Sequence, residues 1–330
     1  MKNQAENIKI PANAKTALEI LEKAGHKAYL VGGFVRDQIH HQNSEAEAAQ
    51  DIDIATSATP TQTEQVFASQ KWTTYPLGKK FGTIGVLPPT KTLGSEAKLN
   101  IKSQSTKSKQ DVSVPTTTFA SDPKIIEITT FRTEATYTDS RHPDSVKFAT
   151  TIDEDLARRD FTCNAIACDI RGKLSDPFGG IEDIHNNVIR CVGDPAERFD
   201  EDHLRILRAL RFASQLGFGI DEKTEHAIRD MKDQITKVSG ERLRDELTKL
   251  ICGQNAKEVL TIYSDVIFEV LPELAPLFKY DQKTKYHSHD AWEHTLIVLD
   301  KMPTLATITN DQNNKHTNYS DPQTATEIGR

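Results

Sequence analysis

The apolar period of this chain changes once, near residue 150, and no other feature constrains the fold as much. Ahead of that point, short apolar runs read as strands: HKAYLVGG, DIDIAT, GTIGVL and KIIEITTFR. Two helices are interleaved with them. Ala14, Ala17, Leu18, Ile20 and Leu21 share helical spacing over 12–24. In SATPTQTEQVF, Thr59 reads as an N-cap, Pro60 as the first helical residue and Glu64 as a first-turn acid. From residue 153 the spacing turns helical, with candidate helices over 153–169, 198–216, 221–233, 239–252 and 256–268. Gly217 and Gly219, Gly253, and Pro272 with Pro276 punctuate them. A chain patterned this way is expected to be α+β, with a mixed α/β N-terminal head followed by an all-α region.

A length of 330 residues suggests about two domains. Residues 91–124, rich in Lys, Ser, Thr and Gln, read as a solvated, mostly disordered insertion whose lysines could also meet RNA. The net charge of -7 excludes a bulk polyanion binder, so any nucleic-acid surface must be regional. Basic residues do concentrate at Arg158 and Arg159, and again at Arg205, Arg208 and Arg211. No stretch approaches the ~20 apolar residues of a membrane span, and MKNQAENIKI lacks a signal peptide's apolar core. Cys163, Cys168, Cys191 and Cys252 form no CxxC pair, which favours reduced thiols over a zinc ribbon. A cytoplasmic protein with no membrane partner is expected.

Asp51-Ile52-Asp53-Ile54 carries the most chemistry. Side chains alternate along a strand, so both carboxylates project one way and both isoleucines the other. Two hard oxygen ligands a dipeptide apart suit Mg²⁺, which leaves positions open for water and phosphate. Upstream, Gly32 and Gly33 close an apolar strand and Arg36 follows three residues later. Glycines allow a phosphate close to backbone N–H groups, and an arginine fork fits phosphate oxygens. Alone, the glycines are a tight turn and the DxD a pair of solvated carboxylates; their order along the chain is what suggests a site. Glu127, flanked by Ile126 and Ile128, reads equally as a third carboxylate or as an edge-strand glutamate.

LVGGFVRD followed by DIDIAT resembles the signature of class II tRNA nucleotidyltransferases and bacterial poly(A) polymerases, members of the polymerase-β-like superfamily. Further segments resemble the family in the same order. TYTDSRHPDSVKF (136–148) is similar to its flexible loop, and ARRDFTCNA (157–165) to its ribose- and triphosphate-binding motif. RFDEDHLRILRALRFASQLGF (198–218) is similar to its nucleotide-selecting EDxxR helix, and SGERLRDEL (239–247) to its neck motif. The resemblance implies a polymerase-β-like head over 1–155, a helical neck over 156–255 and a helical body over 256–330. It implies nucleotide contacts by Arg159, Asp160 and Asn164, and loop roles for Asp139 and Arg141 in switching from CTP to ATP. Asp160 and Asn164, four apart, are expected to share a helix face and bracket the ribose.

On one helix, Asp202 and Arg205 would be neighbours able to read a base's Watson–Crick edge, with Arg208 assisting and Arg211 turned away. Taken alone, Glu201 and Arg205 would make an ordinary i,i+4 ion pair. The resemblance implies that the 3′-terminal CCA of tRNA is added or repaired from CTP and ATP, with Mg²⁺, pyrophosphate release and no nucleic-acid template. SQLGF and His203 fit the CCA-adding branch; a poly(A) polymerase or a CC- or A-adding enzyme is the alternative. Near the C-terminus, YHSHDAWEHTLIVLD resembles the opening helix of an HD phosphohydrolase, with His289, Asp290 and His294 as ligand counterparts. The later His-Asp pair and final Asp are not found after Met302, so a truncated domain without metal or hydrolase activity is expected, followed by a disordered tail.

Overall fold

A computed structural model describes residues 8–40, 51–89, 125–134, 146–283 and 288–302. The insertion over 91–124, Asp139 and Arg141, and the tail after Met302 lie outside the described residues.

Helix α1 (Ala12–Lys23) buries Ala14, Ala17, Leu18 and Leu21, the stripe expected from its spacing. Strand β1 (Ala28–Val31) runs into the glycine pair, and α2 (Gly33–His40) starts there. After β2 (Ile52–Thr56), α3 (Pro60–Ser69) opens with a capping box. Thr59 accepts from the Gln62 main chain, while the Gln62 side chain accepts from the Thr59 N–H. Glu64 is not in that first turn; it pairs with Lys79 at 2.6 Å. Next come β3 (Thr73–Gly78), β4 (Thr83–Leu87), β5 (Ile126–Thr130), and the hairpin of β6 (Arg132–Glu134) and β7 (Val146–Phe148).

The expected helix over 153–169 is corrected. Helix α4 covers Ile152–Ala157, a 3₁₀ turn covers Thr162–Asn164, and Ala167–Cys168 is strand β8. The apolar run from Ile166 is too short for its period to separate strand from helix, and it is taken by the open edge of β1. With β9 (Leu174–Ser175), the head's sheet therefore continues past residue 155. The chain then forms α5 (Gly180–His185), β10 (Val188–Ile189) and α6 (Pro195–Glu201).

Seven strands form the main sheet in the order β3-β4-β5-β2-β1-β8-β9, with β2 and β5 parallel and the other pairs antiparallel. Leu30, Ile54, Ile128 and Ile84 lie in one cross-strand row, with Ile52, Ile126 and Val86 in the next. All are buried on the face covered by α1 and α3. Each such side chain contributes about 1.5–3 kcal/mol relative to exposure. The opposite face buries Val31, Ala55 and Ala167 with Phe131, Leu156, Ala165 and Val192.

The expected helix over 198–216 is also corrected, because it is two helices. After α6, Asp202 turns extended (φ -151°, ψ 101°), and α7 begins at Leu204 and ends at Leu216. Buried His203 anchors the break through a 2.8 Å contact between its Nδ1 and the Phe199 carbonyl. Strand β11 (Gly219–Ile220) pairs with β10 and precedes α8 (Glu222–Met231). Helix α9 (Gly240–Ile251) matches its expectation, whereas Tyr263 divides the segment expected as 256–268 into α10 (Ala256–Ile262) and α11 (Ser264–Val270). Helix α12 (Ala291–Asp300) is the last described element.

Two compact units result. One holds the described residues up to Ile206 together with Phe218–Val238; the other holds Leu207–Gly217 and those from Ser239 onward. In the second unit Gly253 lies so close to α7 that a Cβ on it would stand 2.2 Å from Ser214 Oγ. There Glu246 is buried opposite Arg208 and Arg211, at 3.6 and 2.7 Å.

Candidate active site

The acids converge because the register of three strand pairs sets them in line. Val31 lies opposite Asp53, Asp53 opposite Glu127, and Glu127 opposite Gly85. Directly paired residues project to the same side of a sheet, so Asp53 and Glu127 share a face. Asp51, two residues before Asp53, is on that face too. Gly85 completes the row without a side chain, and a Cβ there would stand 2.7 Å from Leu77 and 2.9 Å from Ile125.

Crowding is visible in the acids' proton affinities. Burial, followed by the charge of Glu127, pushes Asp53 up to about 6, against the opposing pull of Arg159. Burial and then Asp51 push Glu127 up as well. Carboxylates that resist ionisation beside one another are what a cation relieves. Among the described residues no three His, Cys, Asp or Glu side chains stand close enough to hold a metal as they are. Mg²⁺ needs fewer, since one or two carboxylates with water and substrate phosphates fill its coordination. The donor set therefore fits Mg²⁺ at Asp51 and Asp53, with Glu127 alongside.

The glycine pair lies against this row. Gly32 has φ +73°, a conformation that favours glycine. A Cβ on it would stand 3.4 Å from Asp53 Oδ2 and 3.5 Å from Arg159 Nη1. Gly33 begins α2, whose Arg36 turns inward, with only 8% of the residue exposed. Arg36 donates to Asn164 Oδ1 at 2.8 Å and, through Nε, to Asp37 at 2.7 Å. Asn164 in turn donates to Asp160 Oδ1 at 3.4 Å. Asp160 and Asn164 thus meet by a 3₁₀ turn rather than along the helix face expected of them.

The pair expected to read the base is placed differently from its expectation. Asp202 is not on a helix with Arg205; it sits in the break and caps α7 by accepting from Leu204 N at 3.1 Å. Arg205 is buried, donates to the carbonyls of Arg198 and Arg158 at 3.0 and 3.2 Å, and pairs with Glu201 at 2.5 Å. The i,i+4 ion pair left open by the sequence is therefore present. Arg208 belongs to the second unit, where Glu246 holds it.

Asp155 was not among the sequence candidates. It is 1% exposed, and Arg158 and Arg159 are both bound to it. Burial raises its proton affinity, but the two guanidiniums outweigh that and hold its carboxyl below the usual range. The signal was legible in spacing, since Asp155 precedes the two arginines by three and four residues. At the far end of the chain, Asp290 caps α12 through Glu293 N at 2.8 Å and accepts from Lys279 N at 2.9 Å. His289 faces Glu293 at 3.2 Å.

The poly A polymerase head domain family matches residues 28–115 and 94–190. A family described as a probable RNA and SrmB-binding site of polymerase A matches residues 217–278. CCA-adding enzymes of Lactobacillus helveticus and Bacillus subtilis are each 40% identical, over 79% and 80% of this chain. The crystal structure of the Bacillus stearothermophilus CCA-adding enzyme in complex with CTP superimposes with a TM-score of 0.64 at 30% identity. That match covers 92% of this chain and 69% of that one. This chain belongs to the family of poly(A) polymerases and CCA-adding enzymes. It spans 55% and 56% of the length of the two CCA-adding relatives compared by sequence. Its head carries the family match through the whole acidic row and the Gly32 turn. No helix among the described residues of this family member is long and apolar enough to cross a membrane.

Proposed function

We propose that this chain is a nucleotidyltransferase that adds or repairs the 3′-terminal CCA of tRNA, using CTP and ATP without a nucleic-acid template. The observation that carries the reading is the cross-strand row of Asp53 and Glu127, beneath the left-handed Gly32 turn and beside Arg159. Asp51 and Asp53 would hold Mg²⁺, which would supply Lewis-acid polarisation of the attacking hydroxyl and the α-phosphate. Glu127 keeps the local charge negative enough to retain it. The Gly32–Gly33 turn offers its backbone to the triphosphate, and Arg159 donates to the phosphate oxygens. Arg36 holds Asn164, and Asn164 holds Asp160, so the chain of three orients the pair that would meet the ribose. The RNA 3′-hydroxyl gives up its proton to solvent as its oxygen bonds to the α-phosphorus, the bond to the β-phosphate oxygen breaks, and pyrophosphate leaves.

Asp202 and Arg205 select the base, and Asp139 and Arg141 serve the switch from CTP to ATP. For Arg205 to read a base, some donors now given to Glu201 and two carbonyls must be released. Residues 217–278 contribute the tRNA grip. The test is to supply tRNA transcripts ending before, within or after CCA, with Mg²⁺ and CTP, ATP or both. Ordered addition of C, C and A that then stops is expected, and Asp51→Ala and Asp53→Ala should each abolish it. An unlimited A tail would make the chain a poly(A) polymerase instead, and no incorporation would refute the reading.

A further inference from the structure

Arg159 is held between two acidic centres. On one side, Asp155 Oδ2 accepts from its Nη2 at 3.2 Å. On the other, its Nη1 lies 3.5 Å from the point where a Gly32 Cβ would stand, with Asp53 Oδ2 3.4 Å from the same point. A long, flexible guanidinium beside two carboxylates goes to whichever pairs better. Asp155 has the advantage of being fixed. Arg158 Nε and the Arg132 main-chain N donate to its Oδ1 at 3.0 and 3.3 Å, and Arg158 Nη2 lies at 2.9 Å. Arg159 keeps one further bond, to the Asn164 carbonyl at 3.5 Å. Its buried Nε has no hydrogen-bond partner among the described residues.

We propose that Asp155 is a positioning residue that holds Arg159 off Asp53, so that Asp53 stays open to the metal and Arg159 stays aimed at the triphosphate. The inference rests on the nucleotidyltransferase reading through the metal role given to Asp51 and Asp53. When the Asp155 charge is removed, Arg159 swings onto Asp53 and becomes its counter-ion. Arg159 then blocks the metal site that it otherwise serves. A purely structural Asp155 would instead loosen the region in a way that does not depend on Arg159.

Metal binding without substrate separates the two. Mn²⁺ is titrated calorimetrically into the wild type, Asp155→Asn, Arg159→Gln and the double variant, each checked for folding by circular dichroism. Asp155→Asn should weaken Mn²⁺ binding about tenfold, the scale of one charge-assisted pair. The double variant should return to within about twofold of Arg159→Gln, because the competing cation is gone. Equal weakening in both backgrounds would overturn the proposal, as would unchanged binding in Asp155→Asn. Should Asp155→Asn fail to fold, Arg159→Gln alone decides. Binding within about threefold of wild type supports an arginine already held off Asp53, and a tenfold gain refutes it. Mn²⁺ binding without nucleotide incorporation would sink the functional reading alone; a wild type that binds no Mn²⁺ would sink both.

Discussion

Replacing Asp53 with asparagine should abolish nucleotide transfer and yet make the metal-free protein more stable. Asp53 titrates near 6 in the folded chain against an ordinary value of 3.8, with burial the larger cause and Glu127 the next. A raised carboxyl pKa means that folding favours the protonated form. The stability it contributes is complete below pH 3.8 and is lost as pH rises through about 6. A gap of about two pH units corresponds to about 3 kcal/mol at most. Partial exposure and added salt reduce this to about 1–2 kcal/mol for a group so placed. An asparagine side chain carries no charge and escapes the loss, so Asp53→Asn should gain about 1–2 kcal/mol at pH 7.5 in EDTA. In a protein of this size that is a rise in Tm of about 1.5–3 °C. At pH 4 the gain should shrink towards zero, because wild-type Asp53 is then largely protonated. In Mg²⁺ at pH 7.5 the order should reverse, because the ion stabilises only the protein that binds it. At a hundredfold excess over Kd that effect is about 2.7 kcal/mol, more than the variant's gain. Urea unfolding at the two pH values, with EDTA or Mg²⁺, measures all four quantities. A variant no more stable than wild type in EDTA at pH 7.5, or equally stabilised at pH 4, would refute the electrostatic account of the row.

Gly180→Ala should cost about 3 kcal/mol or more in urea unfolding, above the usual ~1–3 kcal/mol of overpacking. Its Cβ would stand 2.1 Å from the Thr162 carbonyl, part of the 3₁₀ turn that carries Asn164, so transfer should fall with stability. Gly32→Ala places a methyl between Asp53 and Arg159 at a positive φ. At a cost of about 1 kcal/mol in stability, kcat/KM should fall at least about tenfold, since the backbone can no longer meet a phosphate so closely. Glu246→Ala leaves Arg208 and Arg211 without that buried carboxylate. Denaturation of the second unit should shift by about 3–5 kcal/mol, whereas Mn²⁺ affinity at the head should hold.

What the sequence disclosed and what it hid follow from the range of the interactions. Alternation alone put Asp51 and Asp53 on one face, and the capping signal at Thr59 was local enough to read directly. Glu127 stayed undecided because only the parallel pairing of β2 with β5 sets it opposite Asp53, and pairing is not written in either strand alone. The apolar run from Ile166 fits a helix by its period, yet β1 has an open edge and takes Ala167 and Cys168 as a strand. RFDEDHLRILRAL looks continuous since it contains neither glycine nor proline. The break at Asp202 is made by buried His203 reaching back to Phe199 and by Asp202 capping the second helix. That break also undid the argument that placed Asp202 beside Arg205 on a helix.

The antiparallel pairing of β4 with β5 has a consequence for how freely this protein can vary. Glu127 takes its position from Asp53 on one side and Gly85 on the other, and neither depends on the length of chain between Leu87 and Ile126. Loop closure grows only logarithmically with length, about 0.6 kcal/mol per doubling. That stretch can therefore lengthen, shorten or accept a foreign peptide while the acids keep their register. The acids' register is thus set by the strands themselves and not by how the chain returns between them.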